Sequence, residues 1–310
     1  MESKYAPFLI PTLNRHSHFK NCIESLLKCD QVEQTDIFIA LDYPLTEKHY
    51  EGYNKILEYL SSPVFESFKS LTVFKRAENL GAIENIRQAR EVIYKEYDRL
   101  IFSEDDNVFS TDFLSFINEG LEVYKDREDI FSINGYHFPI ELNHYDKDVY
   151  LFDGMSAWGY GTWKHKWEQV KFDISLLEEF LKDKEQLKHF NKPRLLSRIR
   201  RIVETRKMTG DTFIGYYQHV NKMYSVFPTI SRVRNLGHDG TGIHGGNSEK
   251  VRKIYADQKI SEGEPITFLP DLEPNFKLIK KLNNNINPPL YKLILKNPSI
   301  ILEQLKKKLS

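Results

Sequence analysis

The strongest constraint on the fold is a rhythm in the first 110 residues, where short apolar runs alternate with stretches of helical periodicity. "APFLIPTL" reads as a strand, and "RHSHFKNCIESLLKC" carries Phe19, Ile23, Leu26 and Leu27 at helical spacing. "TDIFIALDYP" is a strand again, ending at Asp42 and closed by Pro44. That is one βαβ unit. A second cycle runs through the helix "HYEGYNKILEYL", the strand "LTVFKRA", the turn "ENLGA", the helix "IENIRQAREVIYKEY" and the strand "RLIFSED". Such alternation predicts an α/β fold, a mostly parallel sheet with helices on both faces, whose ligand site lies at the C-terminal ends of the strands.

The last of those strands sets a chemical question. Leu100, Ile101 and Phe102 should be buried, yet Glu104, Asp105 and Asp106 follow them side by side. Adjacent carboxylates raise one another's pKa and resist burial unless a cation or hydrogen-bond donors neutralise them. The plain alternative is a solvated turn or an N-cap before "STDFLSFINEGLEVY", where Ser110 or Thr111 serves better. A strand end rich in hard oxygen donors suits Mg²⁺ or Mn²⁺, which take one or two carboxylates and leave other positions to phosphate oxygens. The triplet therefore predicts a metal-bridged diphosphate.

Composition narrows the partners. With 310 residues, 40% of them hydrophobic and 13% aromatic, the chain can bury a sizeable core. Lys and Arg number 44 and Asp and Glu 44, so no overall field favours nucleic acid. Cys22 and Cys29 lie seven apart on one expected helix, too far for an undistorted disulfide, which points to a reducing compartment. The N-terminal apolar run is too short for a signal peptide, and no run of about 18 apolar residues occurs. The expected location is cytoplasmic.

The second half is less regular. "DIFSINGYHF" reads as a strand, "DVYLFDGMSAWGYGTWKHKWEQV" as an aromatic, glycine-rich loop entering a helix, and 173 to 207 as charged helices broken at Pro193. A helix "GDTFIGYYQHVNKMY", a strand "YSVFPTISRV", a loop "RNLGHDGTGIHGG" and a tail complete the chain.

Several residues carry two readings. Asp42 is either a turn acid before Pro44 or a strand-end carboxylate for a nucleobase or ribose. "PTLNR" can be an ordinary strand-to-helix turn, yet Asn14 and Arg15 would stand at a helix N-terminus, which welcomes phosphate. "NLGA" repeats the logic: Asn79 and Gly81 form a tight turn, and Asn85 and Arg87 follow in the next helix. Trp163 and Trp167 suit a core at i,i+4 spacing, whereas Trp158 and Tyr160, flanked by Gly159 and Gly161, can stack on a sugar or base. Asp211 is a helix N-cap or a catalytic base. His244 stands among glycines where no packing needs an imidazole, and Arg232 and Arg234 either meet phosphates or line a solvated strand edge.

"PTLNRHSHFKNCIESLL", "IALDYP", "AENLGAIENI", "IFSEDDNVFSTDFL" and "SAWGYGTWKHKWE", in this order, resemble the GT-A glycosyltransferases, the nucleotide-diphosphosugar transferases of bacterial surface-polysaccharide clusters. The stretch is similar, more distantly, to eukaryotic N-acetylglucosaminyltransferases whose metal motif is Glu-Asp-Asp. The resemblance covers roughly residues 5 to 250. It implies that Asp106 ligates Mn²⁺ or Mg²⁺, that Asp105 faces ribose or sugar beside Glu104, and that Asp42 binds the base with the backbone around Thr12 and Asn14. Arg15 then lies near base or phosphates. The donor-sugar loop falls on Gly154, Trp158 and Gly159, the catalytic acid on Asp211, and the late metal-shell histidine on His244, with His238 competing. The usual Asp-x-Asp spacing is absent.

The resemblance also implies a GT-A domain over residues 1–270, with a nucleotide-binding half at 5–130 and a donor-sugar and acceptor half at 131–250. Residues 271–310 are expected to be a basic amphipathic C-terminal helical tail, which from Phe276 on has eight lysines against Glu303 alone. That tail either packs on the body or rests on anionic lipid at the inner face of the membrane. The expected activity is transfer from a nucleotide diphosphosugar, UDP-linked, to a hydroxyl of a surface glycan or lipid-linked glycan, with inversion and Asp211 as base. Two rivals are a sugar nucleotidyltransferase and a non-catalytic glycan-binding protein. The first usually wants a glycine-rich basic loop where "PTLNRHSH" has one arginine and no glycine; the second has no use for three clustered acids.

Overall fold

The computed structural model describes residues 5–239 and 254–286. Its first half follows the expected rhythm: β1 (Phe8–Thr12), α1 (His16–Leu26), β2 (Asp36–Leu41), α2 (Glu47–Leu60), β3 (Ser70–Lys75), α3 (Gly81–Ile93) and β4 (Arg99–Phe102). These strands stand parallel in the order β3-β2-β1-β4. Successive residues of a strand point to opposite faces, and here both faces are covered. Phe8, Ile10, Ile37, Ile39 and Ile101 pack in one core with Phe19, Cys22 and Ile23 of α1 and Tyr53 and Ile56 of α2. Leu9, Phe38, Ala40, Leu100 and Phe102 pack in another with Ala89 and Ile93 of α3. Period-two burial on two helical layers is what the near-continuous apolar runs require.

The chain then forms β5 (Asn107–Phe109), α4 (Phe113–Val123), β6 (Ile130–Asn134), β7 (Val149–Phe152), β8 (Tyr160–Trp163) and the short α5 (Lys164–Trp167). Helices α6 (Ile174–Lys182), α7 (Lys184–His189), α8 (Pro193–Thr205) and α9 (Gly210–Val220) precede β9 (Tyr224–Pro228), β10 (Val233–Asn235) and α10 (Phe276–Ile286). The whole sheet runs β3-β2-β1-β4-β8-β6-β9-β7, with β8 antiparallel to both neighbours and β7 antiparallel to β9. The arrangement is consistent with a Rossmann-like GT-A fold. Strands β5 and β10 form a separate antiparallel ribbon beyond the end of β4.

The stretch expected as one long loop, 148 to 163, contains two strands, and β8 sits in the middle of the sheet. Glycine misleads there for a packing reason. A Cβ on Gly161 would lie 2.5 Å from Ile117 Cγ2 and 2.9 Å from Leu121 Cδ1, so the bare backbone of β8 is what lets α4 lie against the sheet. Gly159, at φ 68°, turns the chain into the strand, and its missing Cβ faces Phe113 and Val233. Trp163 is buried at the end of β8, and Lys166 sets its ammonium 4.1 Å from that ring. The same ammonium donates to the carbonyls of Arg127 (2.7 Å) and Ile130 (2.6 Å).

Cys22 and Cys29 are both buried free thiols. The described part of the tail packs on the body, with Leu278, Ile279 and Leu282 of α10 buried against Tyr150, Phe152 and Phe227. Residues 287–310 lie outside the described residues. No helix among the described residues is long and apolar enough to cross a membrane. Replacing Gly161 by Ala should overpack the α4–β8 contact and lower stability by about 1–3 kcal/mol, read as a reduced denaturation midpoint at constant slope.

Candidate functional site

The site is built where β1, β2 and β4 end. Thr12 closes β1 and its hydroxyl donates to Asp105 Oδ2 at 2.8 Å. Arg15, just before α1, reaches across to both acids: Nη1 donates to Asp106 Oδ2 at 2.8 Å, and Nη2 to Asp105 Oδ1. Asn235, on β10, donates to Asp106 Oδ1 at 2.7 Å and to Asn107 Oδ1 at 2.9 Å. Each oxygen of Asp105 and Asp106 thus has one partner. The cation that the sequence demands at the triplet is in the first place Arg15.

Packing fixes this constellation from the far side. The Leu236 N–H donates to the Asp106 carbonyl at 2.8 Å, and the Gly237 N–H to Asn235 Oδ1 at 3.0 Å. A Cβ on Gly237 would lie 2.1 Å from Asp106 Oδ2, so no larger residue fits against that carboxylate. Neither Asn235 nor Gly237 stands out in the sequence, although a buried asparagine in a short apolar strand is the available signal. His238 follows at once. Among the described residues neither of its buried ring nitrogens has a hydrogen-bond partner; burial holds its pKa below the ordinary histidine value while Asp106 pulls it upward. The ring stacks on Tyr255 at 4.5 Å, and Trp158 stands edge-on to Tyr255 at 5.3 Å and to Tyr136 at 4.7 Å. His244 lies outside the described residues.

Charge is unevenly held. Burial and then the charges of Asp106 and Asp105 push the half-buried Glu104 up to about 8, with Arg15 opposing and Asp211 adding to the rise. Burial also raises Asp105 above the usual carboxylate range, against the pull of Arg15 and the Thr12 hydroxyl. For Arg15 burial disfavours the cation, but the two aspartates outweigh it and hold the guanidinium above its ordinary value. Arg15 offsets only one of the two aspartate charges.

The other expected residues divide in two. Asp42, Asn79 and Gly81 meet at one edge: Asp42 Oδ1 accepts from the Tyr43 and Leu80 N–H groups, each at 2.9 Å, and Asn79 Nδ2 donates to the Tyr43 carbonyl at 2.6 Å. Gly81, at φ 72° with open space at its missing Cβ, starts α3 there. Asn14 is wedged by its backbone, since a Cβ on Gly52 of α2 would lie 1.9 Å from its carbonyl oxygen. Asn85 is buried and engaged internally, donating to the Ala40 carbonyl at 2.9 Å and accepting from Arg76 Nε at 2.8 Å. Arg232 does not present its charge at the strand ends: it is buried, paired with Asp112 at 3.1 Å and donating to the Ile230 carbonyl at 2.6 Å. Gly154 faces the Phe152 ring.

Asp211 lies in the first turn of α9, whose N-cap is Thr209, so it is not the cap. Its Oδ2 pairs with Arg198 Nη1 of α8 at 2.5 Å. Among the described residues no group of three or more His, Cys, Asp or Glu side chains is disposed to hold a metal ion unaided. The donor set still fits Mg²⁺ or Mn²⁺ shared with phosphate oxygens, because the two aspartates retain unused lone pairs and the His238 ring nitrogens have no partner among the described residues.

No family model and no curated protein matches this sequence. Solved structures similar to it include the mannosyltransferase PcManGT from Pyrobaculum calidifontis, determined with GDP-Man and Mn²⁺ (10% identity, TM-score 0.37, 55% of this chain and 48% of that one). A second is S. aureus TarS (16% identity, TM-score 0.31, 47% of this chain and 23% of that one). A third, described as a glucose-1-phosphate thymidylyltransferase from Bacillus anthracis in complex with a sucrose, is 12% identical with a TM-score of 0.39, over 83% of this chain and 97% of that one. The matched region thus spans about half of the mannosyltransferase chain and about a quarter of TarS.

The raised Glu104 predicts a pH signature. Its folded pKa lies above its ordinary value, so the folded chain holds the extra proton between about 4.5 and about 8, and stability is lost as pH rises through that window. Glu104→Gln, which mimics the protonated form, should flatten the fall of Tm between pH 5 and 8 measured in EDTA. A tenfold change in proton affinity is worth about 1.4 kcal/mol, so the two curves should diverge by several degrees. Parallel curves would place the Glu104 carboxyl in water.

Proposed function

We propose that the protein is a metal-dependent glycosyltransferase that moves a sugar from a nucleotide diphosphosugar, UDP-linked, to a hydroxyl of a bacterial surface glycan. The observation that carries this reading is the pair Asp105 and Asp106, gathered by Arg15 and Thr12 at the ends of parallel strands, next to Glu104, which lies within electrostatic reach of Asp211. Strand ends of this kind are where open α/β sheets bind ligands. The surface-glycan acceptor and the uridine nucleotide rest on the sequence resemblance alone.

In this reading Asp42, Asn79 and Gly81 frame the base and ribose, and Arg15 shares its charge between the aspartates and the phosphates. Asp106, with His238 or His244, would hold Mg²⁺ or Mn²⁺, which when bound supplies the positive charge that the diphosphate leaving group needs. Trp158 presents an apolar face to a sugar. Asp211 accepts the proton of the acceptor hydroxyl as its oxygen bonds to the anomeric carbon and the bond to the diphosphate breaks on the opposite face, which inverts that carbon. Arg198 occupies one of the two carboxylate oxygens of Asp211, Oδ2.

Two variants test separate parts. A nucleoside diphosphate at about a hundredfold excess over Kd, with Mn²⁺, should stabilise the wild type by roughly 2.7 kcal/mol, and Asp106→Ala should lose that stabilisation. Asp211→Asn should keep it while transfer falls by about 10²–10⁴-fold. Transfer at near wild-type rate in Asp211→Asn would remove the base from this position. Release of pyrophosphate from a nucleoside triphosphate and a sugar phosphate would replace the reading with a nucleotidyltransferase.

A further inference from the structure

The charged segment 192 to 207 is not explained by donor binding. It carries Lys192, Arg194, Arg198, Arg200, Arg201, Arg206 and Lys207 against Glu204, and α8 within it buries Ile199 and Ile202. Two of these cations serve the fold: Lys192 is buried on Asp153 at 3.0 Å, and Arg206 pairs with Glu178 at 2.5 Å. Arg194, Arg198 and Arg201 fall on one stripe, at spacings of four and three. Arg198 touches Asp211, and Arg194 lies within electrostatic reach of Arg198, Asp211 and Tyr255. Tyr255 in turn packs against Trp158 and His238. The stripe therefore borders the side of the site where the acceptor hydroxyl must approach Asp211.

Three guanidinium groups on one stripe repel one another. The Arg198–Asp211 pair leaves 44% and 43% of the two side chains exposed, and exposed pairs of this kind contribute little and exchange partners readily. Arg198 also holds one of the two oxygens of the carboxylate that takes the acceptor's proton. A planar guanidinium binds phosphate through two parallel hydrogen bonds, a better partner than a single carboxylate oxygen.

We propose that the acceptor carries a phosphate or phosphodiester beside the hydroxyl that is glycosylated, and that Arg198 exchanges Asp211 for this anion as the acceptor binds, uncovering Asp211. The inference rests on the glycosyltransferase reading and deepens it. Arg198 is then a positioning residue, and Arg194 extends the same anion site. The phosphate can belong to a soluble polyol or glycan phosphate or to a lipid headgroup.

The test uses the full chain with Mn²⁺ and the nucleotide that stabilises it, and titrates glycerol 3-phosphate and glycerol by calorimetry. Glycerol 3-phosphate should bind and glycerol should not. Arg198→Gln should weaken the phosphate by about tenfold, and Arg198→Lys by less, because it keeps the charge and loses the fork. In parallel, vesicles of phosphatidylcholine with and without phosphatidic acid are sedimented with wild type and Arg198→Gln. Arg198-dependent binding in one arm identifies the source; Arg198-independent behaviour in both overturns the proposal. Loss of the nucleotide shift in Arg198→Gln would also overturn it, by assigning the arginine to the donor. A wild type that shows no metal-dependent nucleotide shift refutes the glycosyltransferase reading separately, since glycerol 3-phosphate binding can still be measured without nucleotide.

Discussion

The bridge from Arg15 to Asp105 and Asp106 is the interaction on which the strand-end site depends. Two adjacent carboxylates cannot be buried together without compensation, because each loses hydration and repels the other. Arg15 leaves β1 at the right height only because β1 and β4 are parallel neighbours, with Phe8 opposite Ile101 and Leu9 opposite Phe102. The planar fork then engages one oxygen from each acid, and Thr12 and Asn235 take the remaining two. Removing the arginine would leave two buried charges with only neutral donors, so the fold and the site share this contact.

The late chain completes what the early chain begins. Strand β10 pairs with β5 directly after the acids, which brings Asn235, Gly237 and His238 to Asp106 from more than a hundred residues away. The loop is tied at its other side too, since His18 Nε2 and Asp239 Oδ2 lie 2.9 Å apart. The aromatic group of Trp158, Tyr136, His238 and Tyr255 then joins the segment before β8 to this return. Asp106 is held on one side by Arg15 of the first half and on the other by Asn235 of the second.

Much of the first half was legible because local and long-range signals agree there. Apolar alternation, helical spacing and strand-end acids all describe one parallel α/β layer, and Asp42, Asn79 and Gly81 meet as their positions at strand ends and turns imply. The second half was less legible because its signals are about space. Gly159 and Gly161 read as loop formers, whereas Gly161 is empty room for Ile117 and Leu121. Arg232 read as a phosphate ligand or a solvated strand edge because its partner, Asp112, is 120 residues away. Asn85 looked available and is engaged on the Ala40 carbonyl. Sequence spacing gives the face of an element; it does not say which distant group has already taken the hydrogen bond.

Two arginine–aspartate contacts with opposite character stand in this site. Arg15 is largely buried, shares two acids and is backed by Thr12 and Asn235, so breaking it would strand desolvated charge. Arg198 meets one oxygen of Asp211 at the surface, where water can replace either partner at small cost. The proposed transfer reaction would use both kinds. The leaving group has to meet a fixed field, because electrostatic stabilisation works only when the charges are already oriented. If Asp211 is the base of the proposed reaction, it has to be released only when an acceptor stands in front of it, since an uncovered base beside bound donor would activate water as readily as a sugar hydroxyl. Burial sets that difference, and it follows from where the chain places the two arginines: one at the turn leaving a central strand, the other on the outer face of a helix.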